Sequence, residues 1–529
     1  MSKAEGCIQA EGGSGLPTNW AIALLGEVYK VVGGGTPSTE RPEYWGDGVP
    51  WVTSADIFGV RDIRPRKHVT GKGIENSTTN SVPRRTLLVV TRVGLGKIAI
   101  TETPTCFSQD VQGLIQSPDL VVPEYALHFL SSELQILKFQ GRGTTISGIT
   151  KKQLTDLAFP LAPLAEQKRI VAKIEELLSE LDKGVECLCT AQQQLKIYRQ
   201  ALLKQAFEGK LTSDWRAQNS GKLESAGILL ARIQQQREMR YQEQLLEWTE
   251  AQKSREKSYT PDREPAKPRA PKILPPLTAA ELSELPNLPE SWKWVQIGEA
   301  FGVYVGSTPS RGNLNYWGGE IPWVSSGEVS FCRIKGTNEK ITELGYLNAS
   351  TEIHPSGTVM LAMIGEGKTR GQAAILDVPA AHNQNTAAIR VSEAGCIPEL
   401  MYLYLCFQYE MTRKLGSGNN QKALNKERVS AMKMPFFSLS EQRVLVQFLE
   451  EKLSVLEQFE KTITDSLQQA ITLRQSILRK AFSGELVGQN HEDEPASVLL
   501  ERIRSEGAIK PAKTRSIKAK AKAKAKASA

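Results

Sequence analysis

The sequence is poor in the residues that build metal and disulfide sites. Among its 529 residues there are five histidines and seven cysteines. The histidines stand apart from one another, and no two cysteines form a Cys-x-x-Cys pair. These spacings exclude a paired-cysteine zinc site and a disulfide framework, and they favour a reducing compartment. We therefore expect a cytoplasmic protein that holds no metal.

Long hydrophobic runs are also missing. The segment LMYLYLCF from Leu400 is among the longest, and it is far shorter than the ~20 apolar residues that a membrane helix needs. No basic-then-apolar segment stands at the start of the sequence. The sequence therefore predicts no association with a membrane.

Positive charge is scarce outside the last residues of the chain. The net charge is +8, but residues 508–529 contain eight Lys or Arg and no acid, so the rest sums to about zero. We expect this Lys/Ala tail to be disordered. Specific binding must then come from local basic surfaces elsewhere.

Recognisable catalytic motifs are missing as well. The sequence has neither the Asn- or Asp-Pro-Pro-aromatic motif nor the glycine-rich cofactor loop of an adenine methyltransferase. The nearest approach to a nucleotide-binding loop is AMIGEGKT, which begins at Ala362 where such a loop has glycine. A glycine-rich turn at the end of a strand is the favoured interpretation. An NTPase or nuclease that uses Gly367-Lys368-Thr369 is the alternative.

What the chain does contain is a duplication. The stretch TPSTERPEYWGDGVPWV from Thr36 returns as TPSRGNLNYWGGEIPWV from Thr308, without a gap. The match extends to LPTNW and LPESW, GLGK and GEGK, LAEQ and LSEQ, and QAFEGKL and KAFSGEL. So long a period excludes a solenoid and indicates a duplicated module of about 220 residues. Because the repeated Tyr and Trp residues are alike in both copies, we expect them to pack in the core.

Basic residues are concentrated in glycine- and proline-containing loops. VRDIRPRKHVTGKG from Val60 carries five Arg or Lys against one acid. Such loops suit contact with phosphates and base edges, and a solvated loop without a partner is the alternative. The predicted DNA-contacting residues are Arg61, Arg64, Arg66, Lys67, Lys72, Arg92, Lys97 and Arg142 in the first module and Arg333, Lys335, Lys368, Arg370, Arg413 and Lys414 in the second.

Each module ends in a long helix. Apolar residues recur every seven positions after Pro160 and again after Pro435, which predicts coiled-coil helices. Two equal helices in one chain are natural partners, and an antiparallel pair relates the two modules by an approximate two-fold axis. The predicted packing positions are Ile174, Leu181, Leu188, Leu195, Leu202, Leu449, Leu456, Ile463 and Ile477.

The predicted fold class is α+β, with two tandem globular recognition domains separated by a pair of long antiparallel coiled-coil helices in a pseudo-two-fold arrangement. The predicted segments are a flexible N-terminus (1–15), the first recognition domain (16–159), a central coiled-coil helix (160–215), a charged amphipathic helical insert (216–257), a Pro-rich linker (258–287), the second recognition domain (288–434), a distal coiled-coil helix (435–487), a short helix (488–507) and a disordered Lys/Ala tail (508–529).

In their duplicated order, these motifs resemble the specificity subunit of type I restriction-modification systems, over approximately residues 16–507. The resemblance implies that each domain reads one half of a bipartite, asymmetric site in double-stranded DNA. It also implies that the helices dock two methyltransferase subunits, which modify adenine N6 with S-adenosylmethionine. A restriction subunit that uses ATP and Mg would join to cleave unmodified DNA.

The same resemblance implies that the chain itself binds no cofactor and is not an enzyme. The modules diverge most over about 53–88 and 325–360, so half-site discrimination is expected mainly there. A coiled-coil adaptor that binds proteins and no DNA is a further alternative.

Overall fold

A computed structural model describes most of the chain. The described residues are 15–117, 119–140, 148–257, 267–268, 270–272, 274–365, 367–414 and 424–508. The predictions for Arg142, for residues 1–14 and for the Lys/Ala tail after Ala508 lie outside the described residues.

Strands and short helices alternate in both halves of the chain. The first half contains β1 Ala21–Leu24, α1 Leu25–Val28, β2 Lys30–Gly33, β3 Trp45–Val52, β4 Lys67–Val69, α2 Gly71–Glu75, β5 Ser81–Val82, β6 Leu87–Val90, β7 Ile98–Ile100, β8 Thr105–Phe107, β9 Val111–Ile115, α3 Pro123–Gln140, α4 Lys151–Thr155, β10 Ala158–Leu161 and α5 Leu164–Phe207. Next come α6 Ser213–Gln218, α7 Ala226–Lys257, α8 Ala279–Ser283, β11 Lys293–Gln296, α9 Ile297–Ala300, β12 Gly302–Val305, β13 Trp317–Val324, β14 Cys332–Ile334, β15 Glu339–Ile341 and α10 Glu343–Asn348. The last are β16 Val359–Ala362, β17 Ala373–Leu376, β18 Ala381–His382, β19 Thr386–Arg390, α11 Pro398–Lys414, α12 Lys426–Ser430, β20 Lys433–Phe436, α13 Leu439–Phe482 and α14 Ala496–Ala508.

The chain divides into two compact units, each of which contains parts of both repeats. Unit 1 comprises residues 1–189 and 464–529, and unit 2 comprises residues 190–463. The division falls within both long helices, α5 and α13. Each globular domain therefore packs with the beginning of one long helix and the end of the other.

In unit 1, successive side chains of a central strand point into two different cores. One antiparallel sheet has the strand order β2-β9-β6-β7, and a second has the order β4-β3-β8-β5. All of β6 is buried. Its Leu87 and Val89 join the core under α3, whereas Leu88 and Val90 join the core shared with the second sheet. A strand covered on both faces needs apolar residues at successive positions, as in this one.

Unit 2 also has two sheets, but its β14 extends the larger sheet to five strands and leaves three in the smaller one. Its sheets have the orders β12-β19-β16-β17-β14 and β15-β13-β18. In β16, Val359 and Leu361 join the core that includes α11, and Met360 and Ala362 face the smaller core. The predicted α+β class is confirmed, with α3 and α11 as the longest helices within the two globular domains.

The long helices begin after a pair of short strands. β10 pairs antiparallel with β1, and β20 pairs antiparallel with β11. Pro160 and Pro435 lie inside these strands, and α5 and α13 begin four residues later, at Leu164 and Leu439. Proline is tolerated at such positions because a two-stranded ladder leaves one edge of each strand without backbone partners.

Within each unit the long helices run antiparallel. In unit 1, Glu166 contacts Gln489 and Asp182 forms an ion pair with Arg474. In unit 2, Arg199 pairs with Glu460 at 3.3 Å, and Thr212 contacts Glu441. In both units, residue numbers rise along one segment and fall along the other. The predicted antiparallel pairing of the helices is confirmed within the units.

Burial along the helices follows the heptad register. Of the predicted packing positions, Leu181, Leu188 and Leu195 are half-buried. The buried positions are Ile174, Leu202, Leu449, Leu456, Ile463 and Ile477. Polar residues occupy part of the same stripe, among them Gln192 and the Arg199–Glu460 pair. Charge at such positions specifies register more than it adds stability.

The repeated motifs outside the sheets meet one another. In unit 1, Trp20 of LPTNW donates its indole N–H to Glu166 of LAEQ at 3.0 Å. Pro17 lies against Gly484 of KAFSGEL, where a Cβ would stand 2.3 Å from the proline Cγ. Gly484 also has a positive φ of 79°, which a side chain would strain. This explains the glycine in KAFSGEL.

Unit 2 makes the same contacts with the roles of the repeats exchanged. Trp292 donates to Glu441 at 2.9 Å. Gly209, with φ of 73°, closes on Pro289, where an added Cβ would meet the proline Cγ at 2.6 Å. In each unit the Trp and the Pro come from one repeat, and the glycine that packs on the proline, Gly484 or Gly209, comes from the other.

The next long helix after QAFEGKL is α7, and the helix after KAFSGEL is α14. Each of them packs on the globular domain of the other repeat. The start of α14 packs in unit 1 and the start of α7 packs in unit 2. The buried residues are Ala496, Leu499, Leu500 and Ile503 in α14, and Ala226, Leu229, Leu230 and Ile233 in α7. The start of the insert helix α7 and the C-terminal helix α14 therefore have the same structural role.

Candidate nucleic-acid interface

The repeated tryptophans form a rigid base for the loops above them. Trp45 and Trp51 meet edge to face with ring centroids 5.2 Å apart, and Trp317 and Trp323 meet at 5.1 Å. The Trp51 indole donates to the carbonyl of Gly35 at 3.0 Å, and Trp323 makes the matching bond at 3.2 Å. Trp51 and Trp323 are buried. Core packing, as predicted, is confirmed for these two.

A segment of the same length follows each of these tryptophan strands, and in the second domain it contains the short strand β14. We define the capping loops as residues 53–66 and residues 325–338. Each begins with a capping box, in which the backbone N–H of Thr53 donates to Asp56 at 2.9 Å and that of Ser325 donates to Glu328 at 2.8 Å. Satisfying both ends of the turn fixes the start of the loop.

The second carboxylate oxygen of the capping acid is used differently in the two domains. Asp56 Oδ1 accepts a bond from Arg66 Nε at 2.5 Å, whereas Glu328 Oε1 accepts from the backbone N–H of Asn338 at 2.8 Å. Burial raises the pKa of Asp56, but bonds from Thr53 and Arg66 outweigh burial and hold that pKa below its usual range. Asp56 therefore stays ionised and paired with Arg66, whose side chain is 70% exposed.

Two of the predicted arginines make the same contact in both domains. Arg61 pairs with Glu124 at 2.8 Å, and Arg333 pairs with Glu399 at 2.9 Å. Both acids lie in the first turn of a helix, α3 or α11, where a negative charge also offsets the helix dipole. A contact shared by two domains favours a structural role for Arg61 and Arg333.

Arg64 lies on the outer surface of the first capping loop. Its Nε and Nη2 both donate to Asp62 at 2.8 Å. The guanidinium also lies 4.9 Å from the centre of the Phe58 ring, which is 63% exposed. Arg64 and Phe58 thus form an exposed cation–aromatic pair.

The turn after β6 is tied to the first capping loop. Lys97 Nζ donates to the carbonyls of Ser54 and Ile57, each at 2.9 Å. Arg92, in the same turn, is 64% exposed and lies 3.9 Å from Asp110. Lys97 thus holds the turn in place, and Arg92 presents its charge to solvent.

The corresponding turn of the second domain is tied to α11. Tyr409 donates to the carbonyl of Lys368 at 2.6 Å, and Arg413 donates to that of Gly367 at 2.5 Å. Arg370 is buried and donates to the carbonyl of Arg413 at 3.0 Å. Arg370 and Arg413 therefore support this turn through backbone carbonyls.

The structure of this turn argues against the nucleotide-binding alternative. It joins β16 to β17, which pair antiparallel. A phosphate-binding loop instead leads into a helix whose N-terminal N–H groups hold the phosphates. Gly367-Lys368-Thr369 leads into a strand, so the NTPase alternative lacks the structure it requires.

A cation lies over the first tryptophan in each domain, but it comes from different positions. Lys67 Nζ is 5.2 Å from the Trp45 ring. In the second domain Glu339 stands where Lys67 would be, and Arg311 lies 3.9 Å from the Trp317 ring while donating to Glu339 at 2.9 Å. The sequence-based prediction missed Arg311, although the exchange of Lys for Glu at one position was a signal.

The other predicted residues are surface cations. Lys72, Lys335 and Lys368 are exposed. The side chain of Lys414 is outside what the structure describes. Contact of the fourteen predicted residues with DNA stays a prediction.

Other kinds of site find no support in the described ranges. No helix there combines the length and the apolar composition needed to cross a bilayer. Nor do three or more His, Cys, Asp or Glu side chains converge, in that part of the chain, so as to hold a metal ion.

Two domains with one scaffold and different loops, each built on paired helices, define a duplicated recognition protein. The chain matches the family described as the type I restriction modification DNA specificity domain, over residues 17–186 and again over 289–469. It therefore belongs to the DNA specificity subunits of type I restriction-modification systems. It has two target recognition domains and is a non-catalytic member of such a complex.

Relatives match over nearly the full chain. The Escherichia coli EcoDI type I restriction enzyme specificity subunit is 23% identical over 519 residues, which cover 95% of this chain and 98% of that protein. The EcoKI specificity subunit of Escherichia coli strain K12 is 22% identical over 523 residues, with the same coverage of each.

Solved structures share the fold. A chain from work on complex assembly and conformational transition of the type I R-M system aligns with a TM-score of 0.63 at 18% identity, covering 89% of this chain and 99% of that one. The HsdS subunit from Thermoanaerobacter tengcongensis aligns with a TM-score of 0.50 at 17% identity, covering 90% and 100%.

Proposed function

We propose that each target recognition domain reads one half of a bipartite, asymmetric DNA site. The supporting observation is that the domains share the main contacts of their scaffolds and differ in their capping loops. The tryptophan pair, the capping box and the Arg61–Glu124 type of ion pair recur, whereas Arg66 is replaced by Asn338. Equal scaffolds with unequal surface groups should bind different half-sites.

The methylation pattern in cells tests this function. Cells that carry this chain with its methyltransferase and restriction subunits should show N6-methyladenine in two different short sequences separated by a fixed gap. Sequencing that detects methylated adenine across the genome measures the pattern. A palindromic site, or methylation without a bipartite consensus, would contradict the proposal.

We further propose that the paired helices dock two methyltransferase subunits, and that a restriction subunit joins them. S-adenosylmethionine, ATP and Mg would belong to those partners. The support is exposed apolar surface on α5 and α13, which a solvated helix pair does not need. These residues are Ile197, Tyr198, Val455 and Phe459 in unit 2, and Ile471 and Leu473 in unit 1.

Charge placed in this surface should weaken assembly. Phe459 is 54% exposed, so Phe459→Asp should leave folding intact, yet bury a charge in the docked complex. We expect a loss of methyltransferase affinity of about 10-fold or more, since a desolvated carboxylate without a partner costs at least ~1.4 kcal/mol. Calorimetry or gel filtration with the methyltransferase subunit measures it. Glu451→Asp, at another exposed site of α13, is the control, and equal affinity for both variants would refute this docking surface.

A further inference from the structure

Arg66 and Asn338 occupy one position of the two domains. Each immediately precedes the strand that pairs with the tryptophan strand, and Trp51 stands opposite Lys67 as Trp323 stands opposite Glu339. Shared contacts flank the position on both sides. The capping box lies before it, and after it a threonine caps the next helix in each domain. The equivalence is therefore fixed by structure as well as by spacing.

The capping acid of each domain holds the residue at this position, Asp56 in the first domain and Glu328 in the second. Asp56 binds the Nε of Arg66, and Asp56 itself is only 2% exposed and held by Thr53. This bond does not use the two terminal nitrogens, Nη1 and Nη2, and the side chain is 70% exposed. A guanidinium held at Nε presents those nitrogens as a fork with defined direction.

Asn338 is held through its backbone instead. Its N–H donates to Glu328, which the Ser325 N–H also binds at 2.8 Å. The Asn338 side chain is exposed, so its amide lies at the surface on a fixed backbone. Holding the backbone rather than the side chain suits a residue too short to reach back to the acid.

The two side chains offer different hydrogen-bonding groups, and these match different bases. In the major groove, guanine offers two acceptors, O6 and N7, which match an arginine fork. Adenine offers an acceptor and a donor, N7 and N6, which match the carboxamide of asparagine. A position that carries Arg in one domain and Asn in the other is thus suited to read one base of each half-site.

We propose that Arg66 and Asn338 are equivalent base-reading residues, Arg66 for a guanine and Asn338 for an adenine, and that Asp56 is a positioning residue for Arg66. This inference rests on the proposed reading of two half-sites and names the residues at one position of each. It separates Arg66 from Arg64, whose Nε and Nη2 are already bound to Asp62.

The test is a selection of bound duplexes from a DNA pool randomised in both half-sites, with the chain assembled with its methyltransferase subunits. Arg66→Asn should change one guanine of the first half-site to adenine, or remove the preference there, by about 5- to 150-fold in relative affinity. Arg66→Lys keeps the charge but loses the fork, so selectivity at that base should fall while affinity for the pool is kept. Asn338→Arg should convert one adenine of the second half-site to guanine.

The matched control is Arg64→Asn, which removes the same charge from the same loop. It should lower affinity for all sequences and reduce the salt dependence without altering any base preference. Asp56→Asn should lower selectivity at the base that Arg66→Asn affects and at no other. Unfolding temperature checks that each variant folds.

The outcomes separate this inference from the function beneath it. If Arg66→Asn leaves every base preference intact, or weakens all sequences uniformly as Arg64→Asn does, Arg66 does not read a base. If Asp56→Asn alters other positions, its positioning role is wrong. If the unaltered complex selects no bipartite sequence, the proposed function fails before the variants are compared.

Discussion

Glu441→Ala is expected to destabilise unit 2 by about 3 to 5 kcal/mol, the cost of leaving a buried charge without its partner. Glu441 is fully buried. It accepts bonds from the Trp292 indole at 2.9 Å, the Thr212 hydroxyl at 2.7 Å and Arg216 Nε at 2.9 Å. Removal of the carboxylate would leave all three donors unsatisfied, with the Arg216 side chain only 16% exposed. Chemical denaturation followed by tryptophan fluorescence measures the loss.

The first repeat supplies the matched comparison. Glu166 takes the equivalent place in unit 1, but its donors are the neutral groups of Trp20 and Gln489. Burial raises the pKa of Glu166, and the bonds from Trp20 and Gln489 offset this only in part. Glu166→Ala should therefore cost only about 1 to 3 kcal/mol, as for neutral buried donors. Equal losses for the two variants would show that the Arg216 ion pair is not what sets the difference.

The sequence predicted these motifs but not what they do. LPTNW, LAEQ and KAFSGEL were found because they recur, yet Trp20, Glu166 and Gly484 come together from distant parts of the chain. Repetition aligns each residue with its own copy. The contacts instead join a motif to a different motif, often from the other repeat, and periodicity carries no information on such pairs.

The helices were predicted more fully than the strands. A heptad repeat directly states which residues face a partner helix, so the stripe from Ile174 to Leu202 was found from spacing alone. The strands β10 and β20, at Ala158–Leu161 and Lys433–Phe436, are short and contain proline. Such segments have no periodicity of their own and form because β1 and β11 offer them a partner.

The basic residues of the candidate interface were predicted from composition, and the structure shows that they have different roles. Composition grouped Arg61, Arg64, Arg66 and Lys97 as one basic cluster. In the structure all three arginines are ion-paired, but Arg61 pairs with Glu124 of α3, whereas Arg64 and Arg66 pair with acids of their own loop, and Lys97 donates to two carbonyls. Local charge counts could not separate these roles, because the partners of Arg61 and Lys97 are distant from them in the sequence.

Acid is expected to unfold unit 2 through a buried pair of histidines. His354 and His382 are fully buried, with their Nε2 atoms 3.1 Å apart. Burial lowers the pKa of both, and Arg390 and the neighbouring imidazole lower that of His354 further. In an unfolded chain histidine titrates near 6.5, so the unfolded state takes up protons first as the pH falls. Stability is therefore complete above about pH 6.5 and is lost below it, by about 2 to 3 kcal/mol per histidine at pH 4.5.

The hydrogen bonds of the two histidines also disfavour their protonation, independently of burial. Arg390 Nε donates to His354 Nδ1 at 3.0 Å, so the His354 proton is on Nε2 and faces His382. His382 then accepts at Nε2 and donates from Nδ1 to Thr386 at 2.7 Å. A second proton on either ring would set two N–H groups, or an N–H and a guanidinium, against each other. The chain of bonds requires both rings to be neutral.

The first domain shows how to remove the effect. Val82 and Phe107 take the positions of His354 and His382. Val52 pairs with Phe107 as Val324 pairs with His382, and Val82 pairs with Thr105 as His354 pairs with Ala380. The double variant His354→Val/His382→Phe should keep the fold at pH 7 and lose most of the difference in unfolding free energy between pH 7 and pH 4.5. Denaturant titrations at both pH values measure it. If the double variant and the unaltered chain lose stability equally on acidification, the histidine pair is not the acid-sensitive element.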